Sequence, residues 1–379
     1  MSTFRYVFIA SLAASALGAQ GNVSTQGYGY PQGQLSTRAL SMGGAIGEID
    51  ASSALNPAAL GRLTTRTVLF QIEPEYRSIT SGSVTDKTTT ARYPLVNIGV
   101  PFGQHLVIGV SASTLLDRTW ETSSTKTLNI GGDNVETTTR DNAEGAINDL
   151  RLATAWTNRE WLYVGLGLHA VTGRNVLNTT EQFDDSAFLA AQSTRVLSYT
   201  GSALSAGVQV LAADLNMVFG LSYRLGNSLK ASVNDTTLAR GKVPSRFGAS
   251  VAFTGLRGTI LGARVARDQW SAMTPMLLNA AAGDKANDSW DVGGGAELTG
   301  PRVIGQTLLI RAGGRSRTLP FSANGKAVKE TTASLGTGAS FGGGRMSADL
   351  TVLRQWRNAD LPSVKERAWT LSLSLTARP

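Results

Sequence analysis

The feature that most constrains this chain is an alternation of apolar and polar residues that returns along its length. Near the end, Trp369, Leu371, Leu373, Leu375 and Ala377 alternate with Thr370, Ser372, Ser374 and Thr376. Successive side chains of a strand point to opposite faces, so this stretch has one greasy face and one polar face. The same period runs through 162–170, 215–224, 246–254 and 290–298. The polar phase carries Glu73, Arg151, Arg224, Arg246, Arg264, Asp291, Glu297, Arg311, Arg315 and Asp349. Among the glycines on that phase, Gly165, Gly167, Gly293 and Gly295 leave room for something to pack against the polar face.

Fourteen strands follow from the pattern, at 65–76, 90–100, 106–117, 146–156, 161–172, 196–211, 215–225, 244–254, 259–268, 289–298, 307–316, 331–341, 346–356 and 367–377. The connections between them alternate between long and short. A soluble sandwich has no reason to sort its loops by parity, whereas an outer-membrane barrel has short turns at one end and long loops at the other. The fold class expected is all-β, a 14-stranded antiparallel transmembrane β-barrel, closed so that no edge strand is left unpaired in lipid. Tyr76, Trp156, Trp161, Tyr223, Trp356 and Trp369 lie near strand ends, where interfacial aromatic girdles belong.

Composition agrees. Only 16% of the 379 residues are charged, and the mean hydropathy is −0.04. An average over one lipid-facing and one polar face gives that pair of values. A bundle of membrane helices needs spans of about 20 apolar residues, and the uncharged stretch 196–213 is too rich in Ser, Thr and Gly to be one. The absence of Cys excludes disulfides and thiolate metal sites. The net charge of +8 is scattered, with no basic run of the kind that binds nucleic acid.

Residues 1–18 combine Arg5, an apolar run and Ala16-Leu17-Gly18, the pattern of a secretory signal peptide. The domain reading is signal peptide 1–18, N-terminal hatch 19–64 and outer-membrane β-barrel 65–379. The hatch rests on a motif. Arg38-Ala39, Met42-Gly43-Gly44-Ala45 and Asn56-Pro57-Ala58 together resemble the N-terminal hatch of the FadL-type outer-membrane transport family, which carries long-chain fatty acids and other hydrophobic molecules. Val243-Pro244, Arg311-Ala312-Gly313, Leu319-Pro320-Phe321 and Ser334-Leu335-Gly336-Thr337-Gly338 add to the likeness. The ending Ala377-Arg378-Pro379 departs from the aromatic residue with which such barrels usually close. The resemblance implies a barrel plugged by 19–64, with the Asn-Pro-Ala turn in the lumen. It also implies a lateral gap at a kinked third strand, which here contains Gly109, Ser111, Ala112 and Ser113.

The expected function is passive uptake of hydrophobic small molecules such as long-chain fatty acids. A shuttle or scaffold barrel in protein secretion or outer-membrane organisation and a general porin are the alternatives. The hatch-motif residues are Met42, Gly43, Gly44, Asn56, Pro57 and Ala58. Phe183, Phe188 and Leu189, with Trp270, Met273, Met276 and Leu277, lie in long loops, where they either pack together or capture a hydrophobic ligand. Arg151, His169, Arg224, Arg264, Arg311 and Arg315 are expected to face the lumen, as salt bridges to the inward acids or as contacts for a ligand head group. No nucleophile elbow, phosphate loop or metal-ligand spacing is visible, so no enzyme activity, cofactor or metal is expected. The partners expected are outer-membrane lipids, the hydrophobic ligand and the barrel assembly machinery. No nucleic acid is expected, and the chain is expected to be a monomer.

Overall fold

The computed structural model describes residues 24–379 apart from 26, 27, 83, 131, 132, 186, 278–284, 304, 324, 325 and 359–363. The signal peptide expected at 1–18 lies outside the described residues. The strands are β1 (Thr67–Ser81), β2 (Val84–Phe102), β3 (Leu106–Asp117), β4 (Trp120–Ile130), β5 (Asp133–Thr157), β6 (Leu162–Phe183), β7 (Ala191–Ala212), β8 (Met217–Val233), β9 (Thr236–Lys242), β10 (Arg246–Phe253), β11 (Thr259–Asp268), β12 (Ser289–Val303), β13 (Gln306–Ala323), β14 (Lys326–Phe341), β15 (Met346–Asn358) and β16 (Val364–Ala377).

These sixteen segments make fourteen barrel strands. β3 and β4 both pair with β5, so they are one strand interrupted at Arg118 and Thr119. β9 and β10 both pair with β8, and the break between them holds Pro244, which has no N–H to give a ladder. Every neighbour pair is antiparallel, and β16 pairs with β1 from Val68↔Ala377 to Ser81↔Val364, which closes the barrel. The alternation explains the closure. Phe70, Leu166, Leu221, Phe247, Val292 and Leu375 all face outward and exposed, as do all six girdle aromatics. Along the apolar belt the polar phase of the strands faces in.

The long connections differ from expectation. Most of 77–89, 118–145, 173–195, 226–243 and 317–330 is strand, not loop, because the barrel hairpins continue well past the apolar belt. The extension in β4 and the start of β5 is rich in Thr and Ser and carries no lipid-facing apolar row, so the alternation that marks the belt stops where the lipid contact stops, while Leu229 and Phe321 of other extensions point inward. The third strand also differs. Gly109 to Ser113 pair regularly with β2 and β5, and the register slips further along, between Thr114 and Leu116.

Residues 30–64 lie inside the barrel. They form one short helix, α1 (Thr37–Ser41), and a 3-10 turn at Pro57–Arg62, joined by tight turns. Their side chains are almost all buried against the inner wall.

Candidate functional site: the occupied lumen

The N-terminal segment is shaped by local capping. The Ser36 hydroxyl accepts the Ala39 N–H at the start of α1 and donates to Asp50 at 2.5 Å. Asn56 Oδ1 accepts the Ala58 N–H at 2.9 Å, where Pro57 presets the turn. Asn56 Nδ2 donates to the carbonyls of Glu48 at 2.8 Å and Val208 on β7 at 3.2 Å. The Asn-Pro-Ala triplet therefore both builds its own turn and ties it to the wall.

Glycines let the segment approach. Gly43 has φ +63, and a Cβ there would stand 2.3 Å from the Gly314 carbonyl oxygen of β13. From the wall side, a Cβ on Gly293 would lie 2.0 Å from the Gly43 oxygen, and one on Gly295 would lie 2.4 Å from the Met42 oxygen. Gly165 is similarly covered by Pro57 and Ala58. Gly167 is different: a Cβ there would meet Ser205 and Arg151 rather than the segment.

From β8 round to β1, the wall holds the segment through charge. Glu48 is fully buried and pairs with Arg246 at 2.6 Å and Arg264 at 3.4 Å. Burial alone would raise its carboxyl pKa, but the two guanidiniums outweigh burial and hold it below the usual range. Arg264 also reaches Asp291 at 2.8 Å, and Arg315 pairs with the same Asp291 at 2.7 Å. Glu297 is shared by Arg311 at 2.5 Å and by Arg38 of α1 at 2.8 Å, while Arg311 continues to Asp349 at 2.7 Å. Tyr30 donates to Glu330 at 2.8 Å and accepts from Arg317. Its ring is surrounded by the guanidiniums of Arg92, Arg317 and Arg357, at 5.1, 4.9 and 4.5 Å from the centroid. Arg264, Arg311 and Arg315 are thus satisfied inside the wall.

From β2 to β7, contacts with the segment are neutral hydrogen bonds and small-residue packing, except where the Arg92 guanidinium of β2 lies over the Tyr30 ring and where Gln34 donates to Asp149 at 2.8 Å. Gln34 also donates to Ser113 at 2.9 Å, and Asn97 donates to the Ala51 carbonyl at 3.0 Å. Asp149, His169 and Ser205 form a chain on three neighbouring strands, His169 Nδ1 lying 2.7 Å from Asp149 and Nε2 lying 2.8 Å from Ser205. Arg224 completes it, 3.5 Å from Asp149. Arg151 is buried, yet its Nε and Nη1 make no hydrogen bond. The side-chain amides of Asn175 and Gln209 are also wholly unpaired within the protein.

Toward the long-hairpin end, the lumen is capped by an apolar cluster. It includes Leu116, Leu197, Tyr199, Leu229, Trp270, Met273, Met276 and Phe321, with Leu277 packed against it. Trp270, Met273 and Met276 are at most 4% exposed. They lie in a 3-10 turn, Trp270–Met276, that folds inward rather than facing water. Phe183 and Phe188 stack on each other at 5.6 Å, away from that cluster, and Leu189 beside them is 90% exposed. Beneath the cluster, a cavity of about 50 Å³ is lined by Gln34, Arg224, Arg246, Arg264, Asp268 and Trp270, among others. That is room for one or two waters. Tyr30 and Glu48 belong to no motif in the sequence, and their partners are 300 and 198 residues away in the chain. No local signal points to either.

No protein-family model and no curated protein sequence matches the chain. Solved structures do. A FadL homologue of Pseudomonas aeruginosa superposes with a TM-score of 0.62 at 13% identity, over 92% of this chain and 99% of that one. The Pseudomonas putida toluene transporter TodX gives 0.56 at 12% identity, over 91% and 98%. The monoaromatic hydrocarbon channel CymD gives 0.55 at 13% identity, over 91% and 97%. At these identities the likeness is one of fold, and the chain has the fold of these barrels.

Proposed function

We propose that the chain is an outer-membrane channel for passive uptake of hydrophobic small molecules, entered from the long-hairpin end. The observation that carries this reading is the order of layers along the barrel axis. An apolar cluster of Trp, Met, Leu and Phe side chains lies over a lumen whose inner wall, among the described residues, is covered by the almost wholly buried 30–64 segment. A greasy solute gains by entering the cluster, while a hydrated ion does not. The fold shared with a toluene transporter and a monoaromatic hydrocarbon channel supports the same class of cargo. Residues 19–64, of which 19–23, 26 and 27 lie outside the described residues, act as the hatch, with Met42-Gly43-Gly44 and Asn56-Pro57-Ala58 as its two seats.

The exit lies beside β3. β2 and β3 pair only from Leu95↔Ser113 to Phe102↔Leu106, and above that level they part. A solute released from the cluster leaves there, into lipid, once the neutral contacts of the hatch with β2 to β7 loosen. The inward arginines serve mainly to hold the hatch. Long-chain fatty acids and small aromatic hydrocarbons are both candidate cargoes. Uptake of each, labelled, by cells with and without the gene separates them. Accumulation that depends on the protein is expected for at least one. Equal uptake of both without the protein overturns the reading and favours the shuttle or scaffold. Steady large conductance in planar bilayers overturns it in favour of a general porin.

A further inference from the structure

The exterior of the barrel carries a segregation of charge that uptake does not use. On β14, β15, β16, β1 and β2, all six acids belong to the inward phase. Glu73, Glu75, Glu330 and Glu366 are buried inside; Asp349 pairs with the inward Arg311, and Asp86 is opposite the inward Ile79. The outward phase of the same strands carries Lys87, Lys329, Arg354, Lys365 and Arg367. Lys87 is opposite Ser78, Ser78 is opposite Arg367, and Arg367 is opposite Trp356, so one row runs laterally across four strands. The next row toward the short turns holds Tyr76, Trp369 and Arg354. Below that, the outward residues of β16 are Leu371, Leu373 and Leu375. The cations therefore lie at the upper border of the apolar belt. Among the described residues none of the five makes an ion pair.

One of them is already oriented. The Arg354 guanidinium lies 4.8 Å from the centroid of Trp369 and 5.8 Å from that of Trp356. Contact with two rings restrains the guanidinium, and with no carboxylate partner among the described residues its N–H groups are available to an anion. Lys, Arg and Trp arranged in this order match an amphiphile whose phosphates sit above its acyl chains.

We propose that this face is a binding site for a phosphorylated glycolipid of the outer leaflet, with Arg354, Lys365 and Arg367 taking its phosphates and the belt below taking its chains. A lipid rather than a free anion is the occupant, because the basic rows continue directly into the lipid-facing surface. The inference rests on the barrel's placement in an outer membrane, as proposed above, but not on transport, so loss of uptake and loss of lipid binding are separate results.

The test uses the purified full chain in neutral detergent, titrated with bisphosphorylated lipid A, with bound lipid counted by native mass spectrometry. Bisphosphorylated lipid is expected to bind, and the variant R354Q/K365Q/R367Q to bind it about 100-fold more weakly, from the usual contribution of each basic residue at an anionic surface. If that variant fails to show the heat-dependent gel shift of a folded barrel, K87Q/K329Q replaces it, with weaker binding again expected. Equal binding of dephosphorylated lipid overturns the proposal, as does undiminished binding by the folded variant. Displacement by inorganic phosphate alone also overturns it, since that identifies a free-anion site.

Discussion

The two flanks of the lumen wall hold the same segment by different physics. From β8 to β1 the contact is ionic and closely packed, with Glu48 between Arg246 and Arg264, Arg38 on Glu297, and Gly43 against Gly314. From β2 to β7 the contact is nearly all neutral, and Arg151, Asn175 and Gln209 keep buried groups without partners. Removing one member of a buried ion pair leaves an uncompensated charge, which costs far more than losing a neutral hydrogen bond. One flank is therefore a seat, and the other is the side that can part from the segment at lower cost. The interrupted third strand and the short β2–β3 pairing lie on that second side.

The largest expected effect is at the seat. Glu48→Gln leaves Arg246 and Arg264 without their shared carboxylate, at a cost of about 3–5 kcal/mol. Limited proteolysis should then cut within 30–64, a region protected in the wild type. The pH dependence has a definite sign. Glu48 titrates below its unfolded value of about 4.3, so its contribution is complete above that pH and is lost as pH falls through the lower folded value. Release of the segment in acid should accordingly appear in the wild type, and E48Q should show it already at neutral pH. Next comes Gly43→Val, which sets a β-branched residue at φ +63 against the Gly314 backbone. A loss on the order of 3 kcal/mol is expected, read as a fall in the temperature of the gel-mobility transition.

On the neutral flank the effects are smaller. Asn56→Ala removes a cap and the bond to Val208, for about 1–2 kcal/mol in the same transition. Arg151→Met replaces a buried guanidinium that has unpaired nitrogens and no salt bridge among the described residues, and stability should change by less than about 1 kcal/mol or rise. A large loss at Arg151 together with a small one at Glu48 would reverse the comparison.

Much of the fold was legible because the bilayer imposes it. Leu371 to Ala377 alternate with Ser and Thr, since one face meets lipid and the other the lumen, and the inward phase of Arg264, Arg311 and Arg315 follows from the same count. The hairpin extensions were not legible. β4 pairs only with β5 and has neither a core nor a lipid face, so Thr-rich sequence there reads as loop. Gly293 and Gly295 hinted at something packed in the lumen, but nothing local says that Glu48 would meet Arg246. The inward fold of Trp270 to Met276 was equally hidden, because an apolar loop reads alike whether it covers its own lumen or waits for a ligand.

The absence of Cys makes tethering the most direct test of the two-flank account. Ala45→Cys with Gly262→Cys ties the segment to β11, where the two Cβ positions are 3.1 Å apart. Gln34→Cys with Ser113→Cys ties it to β3; because the glutamine side chain spans the existing hydrogen bond, this pair is joined by a bis-methanethiosulfonate spacer, held by two reducible disulfides, rather than by a direct one. Uptake of a labelled hydrophobic solute is measured for each pair, oxidised and reduced. The account predicts that the β11 tether leaves uptake unchanged and that the β3 tether abolishes it until reduced. Uptake lost with the β11 tether and kept with the β3 tether would contradict it.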